Sequence, residues 1–291
     1  MTDSTRLPSP LQAWVESVLG PLDGVRDSSH DRDNSQVWRV SSAAGDHYVK
    51  VAPKPILYTR ETRAYREAVP HLGHGNAPVL QDSSAELLAL ILTAVDGEPL
   101  KDERSPSRRR AAHRQAGQLL RRLHGTLAGA LGQPETDRIV DSTVTGLDKH
   151  IAEAGDHLSA VEAGVLRQLV STLPDCGPLP AGLQHGDFWE RNLLWDGQRC
   201  ALIDFERSAL GPCVADFVKL ATSLWPDHPD LRTALFEGYG RPLSAAESEA
   251  LAAFAAADAA SALAYGPRHG DALVTARGRR TVERLAREGG L

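Results

Sequence analysis

The feature that most constrains the fold is a short β-like segment set between two helical stretches. Residues 192–205 read NLLWDGQRCALIDF, in which Asp196 and Gly197 are flanked by apolar runs. An Asp-Gly pair between apolar strands is among the strongest sequence signals for a β-hairpin. The segment therefore predicts a hairpin, with its turn centred on residues 196–197, inside a part of the chain that otherwise has helical patterns.

The first third of the chain has a different pattern, which predicts a β-sheet. Five runs are rich in β-branched, aromatic or apolar residues, as strands are. These runs are residues 24–29, 35–42, 46–52, 77–82 and 85–95. Between the third and the fourth, residues 58–72 have helical spacing, and Pro70 makes the last turn of that helix irregular. A further helix is expected over residues 9–20, with Ser9 as its cap.

A polar break at residues 96–100 separates this strand-rich part from a mostly helical remainder. A strand-rich part followed by helices predicts an α+β fold in two lobes. Residues 1–95 would form an N-terminal lobe, a five-stranded antiparallel sheet with one inserted helix. Residues 96–291 would form a mainly helical C-terminal lobe that carries the small β-hairpin.

Composition excludes several classes of protein. The 291 residues carry a net charge of −6, which argues against nucleic acid or an anionic membrane as a partner. No apolar run approaches the length of a membrane-spanning helix, and the polar N-terminus lacks the pattern of a signal peptide. We therefore expect a cytoplasmic protein, either a monomer or a homodimer. The three cysteines have no metal-ligand spacing and are expected to be reduced.

The predicted hairpin also brings polar side chains together. Asp187 and Asn192 precede its first strand, and Asp204 ends its second. With the turn centred on residues 196–197, residue 204 would lie opposite about residue 189, beside the loop that holds the other two. Three oxygen-bearing side chains would then converge on one pocket. Such ligands suit Mg²⁺, which commonly binds one or two protein groups plus substrate phosphates.

The spacing is that of a kinase catalytic loop, in which an Asp and an Asn lie five residues apart and a metal-binding Asp follows a short hairpin. Here residues 185–192 read HGDFWERN and residues 203–205 read IDF. Over residues 183–220 the sequence resembles the aminoglycoside phosphotransferase family, small-molecule kinases that include choline and fructosamine kinases. Gly211 and Asp216 occupy the family's positions in this stretch.

The resemblance implies a bilobal, protein-kinase-like fold and an enzyme that phosphorylates a small molecule. Residues 1–95 would bind ATP (or GTP), and residues 96–291 would carry the catalytic groups and bind the acceptor, a compound with a hydroxyl group. Mg²⁺ would accompany the nucleotide. This reading needs no nucleic acid, membrane or protein partner.

The resemblance also implies roles for single residues. Asp187 would accept or orient the proton of the acceptor hydroxyl as that oxygen attacks the γ-phosphate. Asn192 and Asp204 would hold the metal ions that bridge the phosphates. Asp216 would support the catalytic loop without contacting the reacting groups, and His185 is expected to be a structural hydrogen-bonding residue.

Lys50 is the predicted nucleotide-binding residue of the N-terminal lobe. It lies in a strand between apolar neighbours, where an ammonium group without anionic partners would be costly. The resemblance makes it the lysine that contacts the α- and β-phosphates and pairs with a helix glutamate. Glu61 is preferred for that glutamate because Glu67 lies too close to Pro70 and the helix end.

The remaining nucleotide contacts would come from backbone groups. In the family's lobe connector the adenine edge bonds to main-chain atoms, which here would be the Thr93 carbonyl and the Val95 amide. Buried strand core is the alternative role for these two positions. The loop over residues 28–36 contains no glycine, unlike the glycine-rich cover of protein kinases. Ser35 aligns with a position in that loop near the phosphates.

The sequence leaves the roles of three residues in or near the catalytic motif undecided, namely Trp189, Arg191 and Glu206. Trp189 and Arg191 occupy variable positions of the loop, where Arg191 could neutralise the transferred phosphoryl group or pack on the surface. Glu206 follows the metal-binding Asp204 and could line the acceptor pocket or be a surface charge. Substrate choice is expected to depend partly on these positions.

Several functions compete at this stage. An antibiotic kinase and a metabolic kinase of the fructosamine or choline type share the same motifs. A protein kinase is disfavoured because only about a dozen residues separate Asp204 from Asp216, too few for an activation loop. A nucleotide-binding pseudokinase is the non-enzymatic alternative, supported only by the glycine-free loop and opposed by the complete Asp/Asn/Asp set.

Overall fold

The computed structural model describes residues 6–29, 36–127 and 132–290, and of residues 133–135 only the backbone. Within these ranges the chain forms nine α-helices and ten β-strands. They confirm the predicted α+β fold, with a five-stranded antiparallel sheet in the N-terminal part and a mainly helical C-terminal part. Ser35, the predicted phosphate-contacting residue, lies outside the described residues.

The described residues form two compact units. The first unit comprises those within Met1–Ser105 and Glu190–Ser208, and the second comprises those within Pro106–Trp189 and Ala209–Leu291. The predicted hairpin is therefore part of the first unit, together with the N-terminal strands. The division into a nucleotide-binding lobe and a catalytic lobe at residue 95 concerns function and stays a prediction.

The first unit is built on the five-stranded sheet. Its strands are β1 (Leu22–Asp27), β2 (Gln36–Ser42), β3 (Gly45–Val51), β4 (Leu80–Ser84) and β5 (Ala89–Thr93). Their order is β1-β2-β3-β5-β4, and every neighbouring pair is antiparallel. β5 pairs on both sides and is almost wholly buried, as its unbroken apolar sequence predicts.

Helix α1 (Ser9–Leu19) packs against one face of this sheet. Its buried side chains contact residues that alternate along the strands, because successive strand residues point to opposite faces. The sheet residues in this core are Trp38, Val40, Val49, Ala89 and Ile91. The prediction that Ser9 caps the helix is wrong: Pro8 is the N-cap, and its carbonyl accepts the first helical bond from Gln12 at 2.9 Å.

Helix α2 (Pro55–Glu67) is the predicted insertion between β3 and β4. It begins with a proline at its first position, where the missing N–H costs no intrahelical bond. The predicted irregular turn is present as a 3₁₀ helix over Val69–Leu72, which contains Pro70. A proline thus begins α2, and a second one lies in the 3₁₀ helix that follows it.

The hairpin belongs to a small sheet made of β6 (Glu98–Pro99), β8 (Leu193–Trp195) and β9 (Cys200–Leu202). Trp195 pairs with Cys200, so the loop has four residues rather than the predicted two. The physical reason is Asp196, whose Oδ1 accepts hydrogen bonds from the amides of Gln198 and Arg199 at 2.7 Å each. The predicted register was therefore wrong, and position 204 aligns with position 191 rather than 189.

The second unit is mainly helical. It contains α3 (Pro106–Thr126), α4 (Gln133–Ala154), α5 (Ala160–Ser171), α6 (Val218–Ser223), α7 (Pro229–Tyr239), α8 (Ala245–Tyr265) and α9 (Ala272–Glu288). α8 is buried on most of its surface and contacts α4, α5 and α9, as its alanine-rich sequence indicates. Among the described helices, none combines the length and the apolarity needed to cross a membrane.

Two glycines allow α3 and α7 to cross in close contact. A Cβ at Gly117 would collide with the Leu235 carbonyl, and one at Gly238 would collide with the Arg114 carbonyl. Each helix therefore contributes one glycine at the point where the other helix's backbone approaches. Small residues of this kind let two backbones pack more closely than side chains would permit.

A two-stranded sheet frames the start of the catalytic motif in the second unit. Strand β7 (Ala181–Gln184) leads into residues 185–189, and β10 (Ala209–Pro212) pairs with it antiparallel. A 3₁₀ helix over Cys213–Phe217 follows β10 and runs directly into α6. The loop and the helix that carries Asp216 are thus anchored to adjacent strands.

Candidate functional site

The first unit holds an ammonium group surrounded by carboxylates. Lys50 lies on β3, and its Nζ is 3.0 Å from the carboxylate of Glu61 on α2. The same nitrogen is 2.6 Å from Asp204 Oδ1 and 3.1 Å from Glu206 Oε2. The Lys50 side chain is 14% exposed and that of Glu61 is 0% exposed. The anionic partners that the apolar strand required for Lys50 are therefore present.

Burial and neighbouring charge shift the pKa values of Lys50 and Glu61 in opposite directions. Burial raises the pKa of Glu61 to about 7, against the opposing effect of the Lys50 charge. Burial alone would lower the pKa of Lys50, but the charges of Glu61, Asp204 and Glu206 raise it well above its ordinary value. Lys50 is therefore a permanent cation at neutral pH, shared among three acidic side chains.

The two candidate glutamates of α2 point in different directions. Six residues separate Glu61 from Glu67, which at 3.6 residues per turn rotates the side chain by about 240°. Glu67 accepts a hydrogen bond from Arg63 at 2.7 Å, and both of those side chains are 47% exposed. The structure thus pairs Lys50 with Glu61 and leaves Glu67 on the solvent side of the helix.

Asp204 is held by its neighbours in the chain. It has a positive φ of 67°, a conformation that aspartate adopts more readily than most residues. Phe205 is fully buried and packs edge-on against Tyr65 of α2, with ring centroids 5.3 Å apart. The amide of Ile203 donates to the Asn192 carbonyl at 3.0 Å. Asn192 ends a 3₁₀ helix, Glu190–Asn192, and is 4% exposed.

The predicted adenine contacts lie at the end of β5. The amide of Thr93 donates to the Val79 carbonyl at 2.9 Å, and Thr93 Oγ1 accepts from the Val79 amide at 2.8 Å. The amide of Ala94 donates to the Asp46 carbonyl at 3.0 Å. Within the described ranges, the amide of Val95 has no backbone acceptor. The chain leaves the sheet at this point, after β5 ends at Thr93.

In the second unit, Asp216 fixes the start of the predicted catalytic loop, which begins at His185. Its Oδ2 accepts from the His185 amide at 2.7 Å, and its Oδ1 accepts from the Gly186 amide at 2.8 Å. His124 Nε2 lies 3.0 Å from Asp216 Oδ2, while His124 Nδ1 lies 2.8 Å from the Tyr239 hydroxyl. A buried carboxylate thus holds two successive backbone amides and is itself held by a histidine from α3.

Asp187 follows directly after this anchored pair. Its side chain is 3% exposed and forms an ion pair with Lys219, which lies in the first turn of α6. The amide of Asp187 donates to His185 Nδ1 at 3.2 Å, so His185 has a structural hydrogen bond within the loop. Lys219 Nζ also lies 5.5 Å from the ring centroid of Trp189, within the range of a cation–π contact.

The site residues described above, in both units, fall within one family match. The model of the phosphotransferase enzyme family, APH, matches residues 24–254, well over half of the chain. The chain belongs to this phosphotransferase family. It is therefore an enzyme that transfers a phosphoryl group to a hydroxyl of a small molecule, and the predicted family is confirmed. No curated protein is significantly similar to it in sequence.

Solved structures show that the phosphotransferase shares its fold with antibiotic kinases. A thermostable mutant of the aminoglycoside phosphotransferase APH(4)-Ia, in a ternary complex with AMP-PNP and hygromycin B, is 16% identical with a TM-score of 0.72. That match covers 95% of this chain and 98% of the other. The macrolide 2′-phosphotransferase MphH from Brachybacterium faecium is 17% identical with a TM-score of 0.62, covering 94% and 98%.

A third structure extends the comparison to another antibiotic. The spectinomycin phosphotransferase APH(9)-Ia, in complex with ADP and spectinomycin, is 12% identical to the phosphotransferase with a TM-score of 0.64. The match covers 97% of this chain and 98% of that one. At such identities the likeness establishes the fold of the phosphotransferase and leaves its acceptor to be argued from its own residues.

Sequence reasoning missed two residues that the phosphotransferase places at its catalytic loop. Lys219 pairs with Asp187, and His124 supports Asp216. Lys219 carried a weak signal, because only five of the 32 basic residues are lysines and this one follows Asp216 by three positions. His124 carried none, because it lies 92 positions from Asp216 in the sequence.

The three residues whose roles the sequence left undecided, Trp189, Arg191 and Glu206, lie in different surroundings. Glu206 joins the carboxylates around Lys50 in the first unit. Arg191 is half-buried on the 3₁₀ helix of the first unit, and Trp189 is half-buried at the end of the loop in the second. Their roles in the phosphotransferase remain predictions.

Proposed function

We propose that the protein is an ATP-dependent O-phosphotransferase. In this proposal Asp187 accepts the proton of the acceptor hydroxyl, and Lys50 binds the phosphates of the nucleotide. The observation that carries this proposal is the cluster of Lys50 with Glu61, Asp204 and Glu206. Here a buried lysine on a central strand pairs with a helix glutamate and lies beside the Asp that follows the hairpin. In kinases, phosphoryl transfer requires such a lysine–glutamate ion pair together with a metal-binding Asp.

The nucleotide would be bound by the first unit. Lys50 would contact the α- and β-phosphates as a fixed cation that Glu61 orients. The Val95 amide would donate to the adenine edge and the Thr93 carbonyl would accept from it. Structures of relatives with AMP-PNP or ADP support a nucleotide ligand for this fold. The proposed donor is ATP, with GTP as the alternative.

Asn192 and Asp204 fit a Mg²⁺ ion that is shared with phosphates. Their oxygens are the hard ligands that Mg²⁺ prefers, and both residues stand in the short segment joined by the Ile203–Asn192 bond. Three carboxylates around Lys50 exceed its single positive charge, which favours a further cation there. When bound, the metal would neutralise phosphate charge.

Asp187 would act on the acceptor. As the acceptor oxygen attacks the γ-phosphorus, its O–H proton passes to the Asp187 carboxylate. The new phosphorus–oxygen bond forms while the bond from the γ-phosphorus to the β-γ bridging oxygen breaks, and the nucleoside diphosphate leaves with that oxygen. Asp216 supports this step by holding the backbone of His185 and Gly186, immediately before Asp187.

Two acceptor classes suit an enzyme of this family. An antibiotic of the aminoglycoside type, such as those in the relatives' structures, would make the protein a resistance enzyme. A sugar-like metabolite would make it a metabolic kinase of the fructosamine or choline type. In either case we propose a cytoplasmic location, since that compartment supplies the nucleotide.

The test is an acceptor screen with Mg·ATP, read by mass spectrometry as a phosphate-mass shift of the acceptor. Asp187→Asn should lower kcat by about 10²–10⁴-fold, because it removes the proton acceptor. Its nucleotide affinity should stay close to that of the parent in isothermal titration. Asp175→Asn is the matched control on an exposed aspartate and should leave both quantities unchanged. Full activity of Asp187→Asn on a confirmed acceptor would refute the mechanism.

A further inference from the structure

The second unit contains a cavity of about 340 Å³ beside the catalytic loop. Its wall includes Gly186 and Phe188, the two residues on either side of Asp187, together with Lys219. Because Lys219 forms the ion pair with Asp187, the cavity reaches the side chain that partners the proposed proton acceptor. A molecule in this cavity would therefore lie next to the reacting centre.

Another part of the wall comes from α4 and α8. Hydroxyl-bearing side chains from both helices line it, namely Ser142, Thr143 and Ser261. Small residues such as Gly146 and Ala257 leave the space between them open. The wall thus combines hydroxyl groups with a restricted volume, near the lower end of the range for ligand pockets.

The charges of the wall are compensated within the protein. Two carboxylates line the cavity, Asp216 and Asp258. Asp216 accepts from two backbone amides and from His124, and Asp258 forms an ion pair with Arg277 of α9. The other titratable lining residues are His150 and Lys219, neither of which adds negative charge.

A polycationic ligand needs uncompensated carboxylates, because it must exchange its hydration for anionic partners. The described residues of this cavity offer none, whereas hydroxyl groups and one ammonium group suit a neutral compound rich in hydroxyls. We propose that this cavity binds the acceptor and that the acceptor is a compact, neutral polyhydroxylated molecule of one or two rings. The inference rests on the proposed function and narrows its acceptor class.

The first experiment compares two panels of acceptors with Mg·ATP and full-length protein. One panel holds neutral hexoses, cyclitols and nucleosides, and the other holds the polycations gentamicin and hygromycin B. Phosphate-mass gain by a neutral compound, with none by the polycations, is the expected result. Transfer to the polycations alone would overturn this inference and leave the proposed function standing. Transfer to no compound in either panel would overturn both.

The second experiment tests the location of the site with the neutral acceptor found. Ala257→Leu fills the cavity and should raise the acceptor KM at least ten-fold, while the nucleotide dissociation constant stays the same. Ala245→Leu makes the same change at the exposed start of the same helix and should alter neither value. Equal KM values for the two variants would overturn the assignment of the cavity.

A milder variant covers the case in which Ala257→Leu fails to fold. Ser261→Ala removes one hydroxyl from the wall without adding volume, and it should raise the acceptor KM several-fold at unchanged nucleotide affinity. Ser171→Ala, an exposed serine of the same unit, is its matched control. An acceptor KM that Ser261→Ala leaves at the parental value would contradict the proposed site.

Discussion

At the level of single residues, the molecule depends most on how its buried charges are compensated. Lys50 neutralises a glutamate that has no exposure to solvent, and it does so from a strand whose neighbours are apolar. Removing one partner of a buried ion pair is far more damaging than removing an exposed pair, because the other charge stays desolvated. The cluster therefore contributes to stability as well as to the proposed nucleotide site.

We expect Lys50→Met to lower the free energy of unfolding by about 3 kcal/mol, since it leaves the Glu61 carboxylate buried without its cation. Thermal unfolding without nucleotide measures the loss. Lys50→Met combined with Glu61→Gln should be less destabilised than Lys50→Met alone. Arg63→Met breaks the exposed pair with Glu67 on the same helix and should cost about 0.3–0.5 kcal/mol. Equal losses for Lys50→Met and Arg63→Met would contradict the argument.

Sequence reasoning could reach the Lys50–Glu61 pair because both residues have a local signal, whereas the position of Glu206 beside Lys50 was not expected. A lysine between apolar strand residues needs an anion, and Glu61 lies at the right place on the next helix. Lys219 could not be assigned in the same way. Its pairing with Asp187 joins residues 32 positions apart, and their contact depends on how α6 follows the 3₁₀ helix after β10. No periodicity in the chain encodes that geometry.

At the level of elements, the crossing of α3 and α7 has the strictest steric requirement. Gly117 and Gly238 each face a backbone carbonyl of the other helix, so neither site has room for a methyl group. A side-chain clash can often be relieved by a new rotamer. A clash with backbone can only be relieved by moving a helix, and packed interiors resist such movement.

Gly238→Ala should therefore lower the free energy of unfolding by about 1–3 kcal/mol or more, as overpacking does in well-packed cores. The melting temperature measures this change. Gly125→Ala on α3 is the matched control, because a Cβ there meets nothing within 4 Å. That control should be neutral or slightly stabilising, since alanine is the better helix former. A neutral Gly238→Ala would show that the helices can separate without cost.

The elements also show how far local sequence signals extend. The Asp-Gly pair correctly predicted a hairpin, but the side chain of Asp196 bonds two amides and widens the loop to four residues. A two-residue change in register cannot be read from residue types alone, because it depends on which turn hydrogen bonds form. The presence of the hairpin was predictable from the sequence, and the pairing of residues between its two strands was not.

At the level of the whole molecule, the residue patterns of the sequence predicted the fold class, but they did not predict which segments pack together in one compact unit. Runs rich in β-branched, aromatic or apolar residues predicted the five strands, and the pattern after residue 96 predicted the helices. The hairpin residues cluster with the N-terminal strands in one compact unit, while the predicted division into a nucleotide-binding lobe and a catalytic lobe stays a prediction. Such grouping is set by contacts between distant segments, which leave no local signature.

The cysteines provide a test that samples both units. All three are free and buried, and burial raises the pKa of Cys200 and of Cys213 to about 12. Because the thiolate is the reactive form, a thiol reagent at pH 8 should modify the native protein very slowly. Mass spectrometry should find three rapidly modified cysteines once the chain is unfolded in denaturant.

An exposed thiol supplies the control for this measurement. Ser171→Cys places a cysteine on the surface of α5, and it should react in the native state at the rate of a small-molecule thiol. Rapid native modification of Cys200 or Cys213 would show that the corresponding unit opens far more often than its packing indicates.

The ion pair between Arg277 and Asp258 bears on how such an enzyme could change its substrate range. Arg277 lies on α9 and outside the cavity wall, so losing it would uncover a carboxylate inside the proposed acceptor site while leaving the catalytic loop untouched. One codon at position 277 therefore separates a neutral cavity from an anionic one. Under selection by a cationic compound, a single substitution at this position would be enough to expose that carboxylate. Related chains that differ at this position would then differ in their acceptor while keeping the same chemistry.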